Sequence, residues 1–227
     1  MPSSLGVPFD REQISRLFPN PVGVAALRLS DRVFPLFPEE ERAISEAVPK
    51  RRREFSAGRH CARLAMAQLG YAGCAIPSGI DRAPIWPSGL IGSITHSERY
   101  CAVTIARSHH FKSIGIDLEA IKAVPAEVSE RVLRPDEIDP LDLGASPDGA
   151  DWLTLHFCLK EAAYKAFYHL FRRIIDFQEM KISVNRRARS FFAEAAVEGL
   201  KCAPVFHGKY LVKDEIICAA CWSEHLH

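Results

Sequence analysis

No run in this 227-residue chain is long and apolar enough to cross a bilayer, so no transmembrane helix is expected. A Gly-x-x-x-x-Gly-Lys-[Ser/Thr] loop is also lacking, which argues against a P-loop nucleotide hydrolase. Nothing in the chain forms a convincing Ser/His/Asp or Cys/His nucleophile constellation. Net charge is almost lacking as well. The 29 Lys and Arg residues against 28 Asp and Glu leave +1, which points to neither nucleic acid nor an anionic membrane as a partner. Any recognition of an anion must then come from a local basic cluster. The start, Met1-Pro-Ser-Ser-Leu-Gly-Val-Pro-Phe-Asp10, has neither the basic residues nor the apolar core of a signal peptide. The seven cysteines are scattered and odd in number, which suits a reducing cytoplasm better than a disulfide framework. Cys218-Ala-Ala-Cys221 has redox-like spacing, but it lies in the apolar run 216–222 with no second Cys/His pair nearby. It reads as two buried thiols.

What is present is ordinary for a folded chain: 48% hydrophobic and 25% charged residues, enough for one good core or two small ones sharing an interface. Residues 1–38 are rich in proline and turn residues, with a short strand at 22–29. Pro38-Glu-Glu-Glu41 opens a helix expected to reach about 48, and Pro49 opens another running to about 69 before Gly70. Loop residues dominate 73–89. Strands are expected at 90–95, 100–106 and 113–119, a short helix near 126–133, and a long helix at 152–171. Segments 181–184, 190–197 and 210–222 read mostly as strands. Each half thus carries a long helix and several strands, with a junction near 108–112 and no internal sequence repeat.

In Ser113-Ile-Gly-Ile-Asp-Leu-Glu119, alternation places Ile114, Ile116 and Leu118 on one face and Gly115, Asp117 and Glu119 on the other. The two carboxylates stand about 7 Å apart, close enough to repel unless a cation or water separates them. Oxygen-only ligands favour a hard ion such as Mg²⁺. A solvated strand face carrying two acids is the alternative. On the helix Phe157-Cys-Leu-Lys-Glu-Ala-Ala-Tyr-Lys-Ala-Phe167, Glu161 and Lys165 share a face at i and i+4. Such a pair is either a surface salt bridge or, amid close-packing Ala and Phe, a charged pair facing a cleft. Thr95 and His96 end a strand, and Lys50-Arg-Arg-Arg53 with Arg59 and Arg63 forms a basic cluster suited to a phosphomonoester or simply to solvent.

Four ordered stretches together resemble the 4′-phosphopantetheinyl transferase superfamily, in the branch of enterobactin synthetase component D. They are the 50–63 helix with its Arg and Glu-Phe residues, Trp86-Pro…Gly-Ser-Ile-Thr-His96, Gly115-Ile-Asp-Leu-Glu119 and Lys160-Glu-Ala-Ala-Tyr-Lys165. The resemblance implies an α+β fold of two pseudo-symmetric halves, 1–110 and 111–227, each a small antiparallel-rich sheet packed on a long helix. It places the active site in the cleft between them. It further implies transfer of 4′-phosphopantetheine from coenzyme A to a serine of an apo acyl or peptidyl carrier protein, with Mg²⁺ or Mn²⁺ and release of adenosine 3′,5′-bisphosphate. By position, Asp117, Glu119 and Glu161 resemble the metal ligands, and Glu161 also the general base. Lys165 resembles the lysine on the diphosphate, with Lys160 and Thr95 beside that site. His96 resembles the phosphate-contacting histidine. Arg51 and Arg59 match positions that hold the 3′-phosphate, with Arg52 and Arg82 as neighbours, and Ser78 stands where some relatives carry lysine. The carrier could serve fatty acid, polyketide, nonribosomal peptide or siderophore synthesis; the apolar and basic stretch 168–175 is either its docking surface or a buried helix end, and a monomer is expected. A non-catalytic coenzyme A or carrier binder of the same descent is the alternative, but it should have lost an acid or lysine that is present here.

Overall fold

The computed structural model describes residues 7–121, 126–138, 151–197, 199 and 204–225. In chain order the elements are α1 (Arg11–Ser15), β1 (Val22–Arg28), α2 (Pro38–Arg42), α3 (Pro49–Gln68), β2 (Leu90–His96), β3 (Tyr100–Arg107) and β4 (Ser113–Ala120). There follow α4 (Ala126–Val132), α5 (Trp152–Phe171), β5 (Met180–Asn185), β6 (Ser190–Ala195), β7 (Val205–Lys213) and β8 (Ile216–Ser223). The expected start without a leader, at residues 1–6, and most of the irregular region before 149 lie outside the described residues.

Local chemistry sets the helix ends. Pro49 occupies the first turn of α3, where its missing N–H costs nothing. Gly70 follows that helix at φ +80°, a conformation glycine adopts without strain. Asp151 caps α5 by accepting from the Thr154 N–H, and Arg172 closes it in the left-handed region.

The strands form two antiparallel sheets, β1-β3-β2 and β4-β8-β7-β6-β5. The mixture of helices and antiparallel sheets is the expected α+β class. Helix α3 packs on the first sheet through Ala57, Cys61, Ala62, Ala65 and Met66, and α5 on the second through Leu155, Leu159, Ala163 and Phe167. Both helices come very close to a strand at a glycine. A Cβ at Gly23 would lie 2.1 Å from the Ala65 carbonyl oxygen, and one at Gly115 1.9 Å from that of Ala162. The opposite faces of both sheets share a third core, with Val24, Ile91, Ile116, Ala220 and Trp222, closed by α1 and Phe111.

Three sequence expectations change. The segment 210–222 is not one strand: β7 and β8 are joined by Asp214 and Glu215 at φ +52° and +57°. This is a two-residue hairpin turn made without the Asn-Gly pair that usually signals it. Helix α2 stops at Arg42 rather than near 48, because Ala43, Ile44 and Ala47 bond to carbonyls three residues back and tighten the chain into turns. Helix α1 was not expected; its Asp10 and Gln13 cap each other reciprocally. The CxxC cysteines are buried thiols as expected. Three residues apart on β8, they face different cores, Cys218 the shared one and Cys221 the one beneath α5.

Candidate active site

The site lies where the edge strands of the two sheets, β2 and β4, run past each other. Ser93 Oγ accepts from the Ile116 N–H at 3.0 Å and so ties the two edges together. Two residues on, on the same face of β2, Thr95 Oγ1 donates to Asp117 Oδ1 at 2.8 Å. Lys165 Nζ reaches across from α5 to the same oxygen at 2.6 Å and to the Ile116 carbonyl at 3.1 Å. Asp117 is only 3% exposed, and its other oxygen, Oδ2, is buried with no hydrogen-bond partner. Glu161 stands one helical turn before Lys165. Burial pushes its carboxyl above the usual range, Lys165 opposes this, and the Asp117 charge adds to it. Burial would lower the Lys165 ammonium, but Asp117 and Glu161 outweigh it and the net direction is up.

Glu119 follows Asp117 on the same face of β4, partly buried. Burial raises the Cys158 thiol of α5, and the charges of Asp117, Cys218 and Glu119 raise it further. Among the described residues, no three His, Cys, Asp or Glu side chains stand close enough to hold a metal ion by themselves. Of the acids expected as ligands, Glu161 feels the charge of Asp117, and Lys165 holds one Asp117 oxygen. The buried orphan Oδ2 and the all-oxygen donor set still suit a hard divalent cation that takes its remaining ligands from a substrate's phosphate oxygens.

The odd-numbered side of β2 faces β4, while His96 at its end turns to α3. There Arg51 Nη1 lies 3.4 Å from His96 Nε2, and Glu54 Oε2 lies 3.9 Å from it. Burial lowers the His96 pKa; Glu54 raises it, Arg51 and Lys165 lower it, and Asp117 raises it. Arg51 also borders a polar cavity of about 400 Å³ with Arg42, Ser78 and Arg82. Arg82 sits at φ +65° and lines a second cavity too. This one, about 310 Å³, opens between β2 and α5, with Trp86 and Ser93 on one side and Tyr164, Lys165 and Tyr168 on the other. Asp81 bridges its mouth, accepting from the Tyr168 hydroxyl at 3.0 Å and from Arg172 Nη1 at 3.2 Å.

Two expected ligand contacts have other partners. Lys160, expected to bind cofactor, is wholly buried. Its ammonium donates to the Val132 carbonyl at 2.7 Å and the Phe177 carbonyl at 3.0 Å, and pairs with Glu137 at 2.7 Å. An ammonium has three donors, and these partners use them all. Arg59 is also largely committed. Its Nε donates to the Ile76 carbonyl at 2.7 Å and its Nη2 to Ser78 Oγ at 3.1 Å, with the guanidinium 4.2 Å over the Phe55 ring. Burial lowers its pKa to about 10, so it stays charged at neutral pH and supports the cavity that Arg51 borders. Arg52 turns away to Glu41 and the Ile44 carbonyl. Sequence reasoning missed Ser93 and Glu54. The signals for them were present: Ser93 shares a strand face with Thr95, and Glu54 lies one helical turn from Arg51.

Two family models match the chain in succession: the 4′-phosphopantetheinyl transferase N-terminal domain over residues 39–106 and the 4′-phosphopantetheinyl transferase superfamily over residues 113–221. The chain belongs to the 4′-phosphopantetheinyl transferase superfamily. It is 40% identical to the 4′-phosphopantetheinyl transferase Npt of Nocardia iowensis, across 81% of this chain and 87% of that protein. It is 34% identical to PptT of Mycobacterium tuberculosis, across 77% of this chain and 72% of that protein. With enterobactin synthase component D of Escherichia coli it shares 32% identity over 65% of this chain and 73% of that protein.

Proposed function

We propose that the chain transfers 4′-phosphopantetheine from coenzyme A to a serine hydroxyl of an apo carrier protein and releases adenosine 3′,5′-bisphosphate. The observation that carries this reading is the contact of Asp117 with Lys165, which lines one cavity with Arg82, while Arg82 and Arg51 line a second. One end suits a diphosphate and the other a phosphomonoester, and coenzyme A carries both. The N-terminal half, 1–110, supplies the phosphate contacts Arg51, Arg82 and His96, with Arg59 and Thr95 holding the frame. The C-terminal half, 111–227, supplies Asp117, Glu119, Glu161 and Lys165.

Asp117, Glu119 and Glu161 would hold Mg²⁺ or Mn²⁺. When bound, the ion neutralises charge on the diphosphate as the bond between its two phosphates breaks. Lys165 neutralises the diphosphate from the α5 side, and His96 donates to a phosphate oxygen. The serine oxygen forms the new bond to the phosphorus that bears pantetheine. Its proton passes to Glu161, directly or through water, and the departing bisphosphate takes the electron pair of the broken P–O bond. Burial raises the Glu161 carboxyl above its ordinary range.

Glu161→Gln tests the assignment, because it keeps the shape and removes both the charge and the basic oxygen. Transfer should fall by about 100-fold or more, with an unchanged thermal midpoint. Full activity in the folded variant would remove Glu161 from both roles.

A further inference from the structure

Strand β4 ends its sheet, so the backbone groups along its free edge have no neighbouring strand to bond. At Ile116 both are taken by side chains. The N–H donates to Ser93 Oγ at 3.0 Å, and the carbonyl accepts from Lys165 Nζ at 3.1 Å. In an antiparallel strand the N–H and C=O of one residue leave on the same side. Ser93 and Lys165 therefore stand side by side along this edge, the hydroxyl coming from β2 and the ammonium from α5.

Each has a donor left over. Ser93 is only 4% exposed, and its hydroxyl accepts from Ile116 but has no acceptor for its own proton among the described residues. Two residues on, Thr95 gives the equivalent proton to Asp117. Lys165 has three N–H groups and gives two of them, one to Asp117 and one to the Ile116 carbonyl. Both side chains line the cavity between β2 and α5. Arg82 lines it too, while Asp81 and Arg172 offset each other at its mouth, so the balance inside is cationic. A buried hydroxyl beside an ammonium, each with a donor to spare, suits one anionic oxygen that accepts from both.

Strand β2 gives that oxygen a place along the ligand. His96 at the strand's end lies beside Arg51, the side assigned to the phosphomonoester. Ser93 is three residues back, roughly 10 Å by strand rise, on a cavity that Arg51 does not line. We infer that Ser93 is a further ligand-binding residue, which donates its hydroxyl proton to an oxygen of the phosphate that bears pantetheine. This rests on the coenzyme A reading of the site. Adenosine 3′,5′-bisphosphate keeps the other two phosphates of coenzyme A and lacks this one, so the two ligands isolate the contact.

The test is calorimetric titration of the full chain with coenzyme A and with adenosine 3′,5′-bisphosphate, in Mg²⁺ and without a carrier protein. Ser93→Ala should bind coenzyme A about ten-fold more weakly than the wild type, the scale of one hydrogen bond to a charged group, and the bisphosphate within about two-fold. Ser93→Cys is close in size and a weaker donor, so its loss should be smaller but equally confined to coenzyme A. It carries the comparison if the alanine variant does not fold. Wild-type affinity for coenzyme A in a folded variant overturns the inference, since the proton then serves no ligand. An equal loss on both ligands also overturns it, because Ser93 would then only hold β4 in place. The titration needs no turnover, so a chain that shows the contrast between the two ligands yet modifies no carrier would defeat the transfer reading alone.

Discussion

Lys165 Nζ lies 2.6 Å from Asp117 Oδ1, so an ammonium on α5 already neutralises the carboxylate on edge strand β4. The contact has two consequences. It stabilises a buried acid that would otherwise be costly, and it leaves Oδ2 as the open oxygen. Lys165→Gln should therefore show both a stability and an activity phenotype. Denaturant unfolding should reveal a loss of about 3 kcal/mol, the usual scale for stranding one buried partner of an ion pair. Transfer should fall about 100-fold or more if the same ammonium neutralises the diphosphate as proposed. Loss of stability with normal turnover would confine Lys165 to a structural role.

In the proposed reading Arg51 holds the phosphomonoester end of coenzyme A. Arg51→Ala should raise KM for coenzyme A about ten-fold or more, the scale of one charge-assisted phosphate contact. With dephospho-coenzyme A, which lacks the 3′-phosphate, the variant and the wild type should have nearly equal KM. An equal penalty on both substrates would move Arg51 to the diphosphate.

His156 lies on the buried side of α5 itself, with its Nδ1 3.1 Å from the Trp152 carbonyl and its ring against Trp152. Burial lowers its pKa from 6.5 to about 4. Folded protein therefore binds fewer protons than unfolded protein between those values. The stability it contributes is complete above pH 6.5 and is lost as pH falls toward 4, a change of about 3 kcal/mol. His156→Gln should be less stable at pH 7.5 and flatter across that window in urea unfolding. A parallel pH profile would show that another group dominates the acid limb.

Much of the site was legible because it rests on short-range periodicity. Strand alternation placed Asp117 and Glu119 together, and helical spacing placed Glu161 with Lys165 on one face. Lys160 was misread for the same geometric reason. Five residues before Lys165, it points about 140° around the helix, away from the cleft and into the core. Its partner, Glu137, lies in a separate segment that no spacing rule connects to it. The meeting of β2 and β4 through Ser93, Thr95 and Asp117 is likewise a tertiary fact, invisible to periodicity. The β7–β8 turn was hidden because Asp214-Glu215 adopts left-handed angles that its sequence does not advertise.

The proposal that the buried Asp117 meeting point handles a phosphopantetheinyl diphosphate is tested most directly by intact-mass analysis. The chain is incubated with coenzyme A, Mg²⁺ and a panel of apo carrier proteins, with Asp117→Asn in parallel. The account predicts that at least one carrier gains the mass of a single phosphopantetheine, that the gain needs its acceptor serine, and that Asp117→Asn abolishes it. A folded wild-type chain that adds nothing to any carrier, or an Asp117→Asn variant that works as well as the wild type, would contradict it.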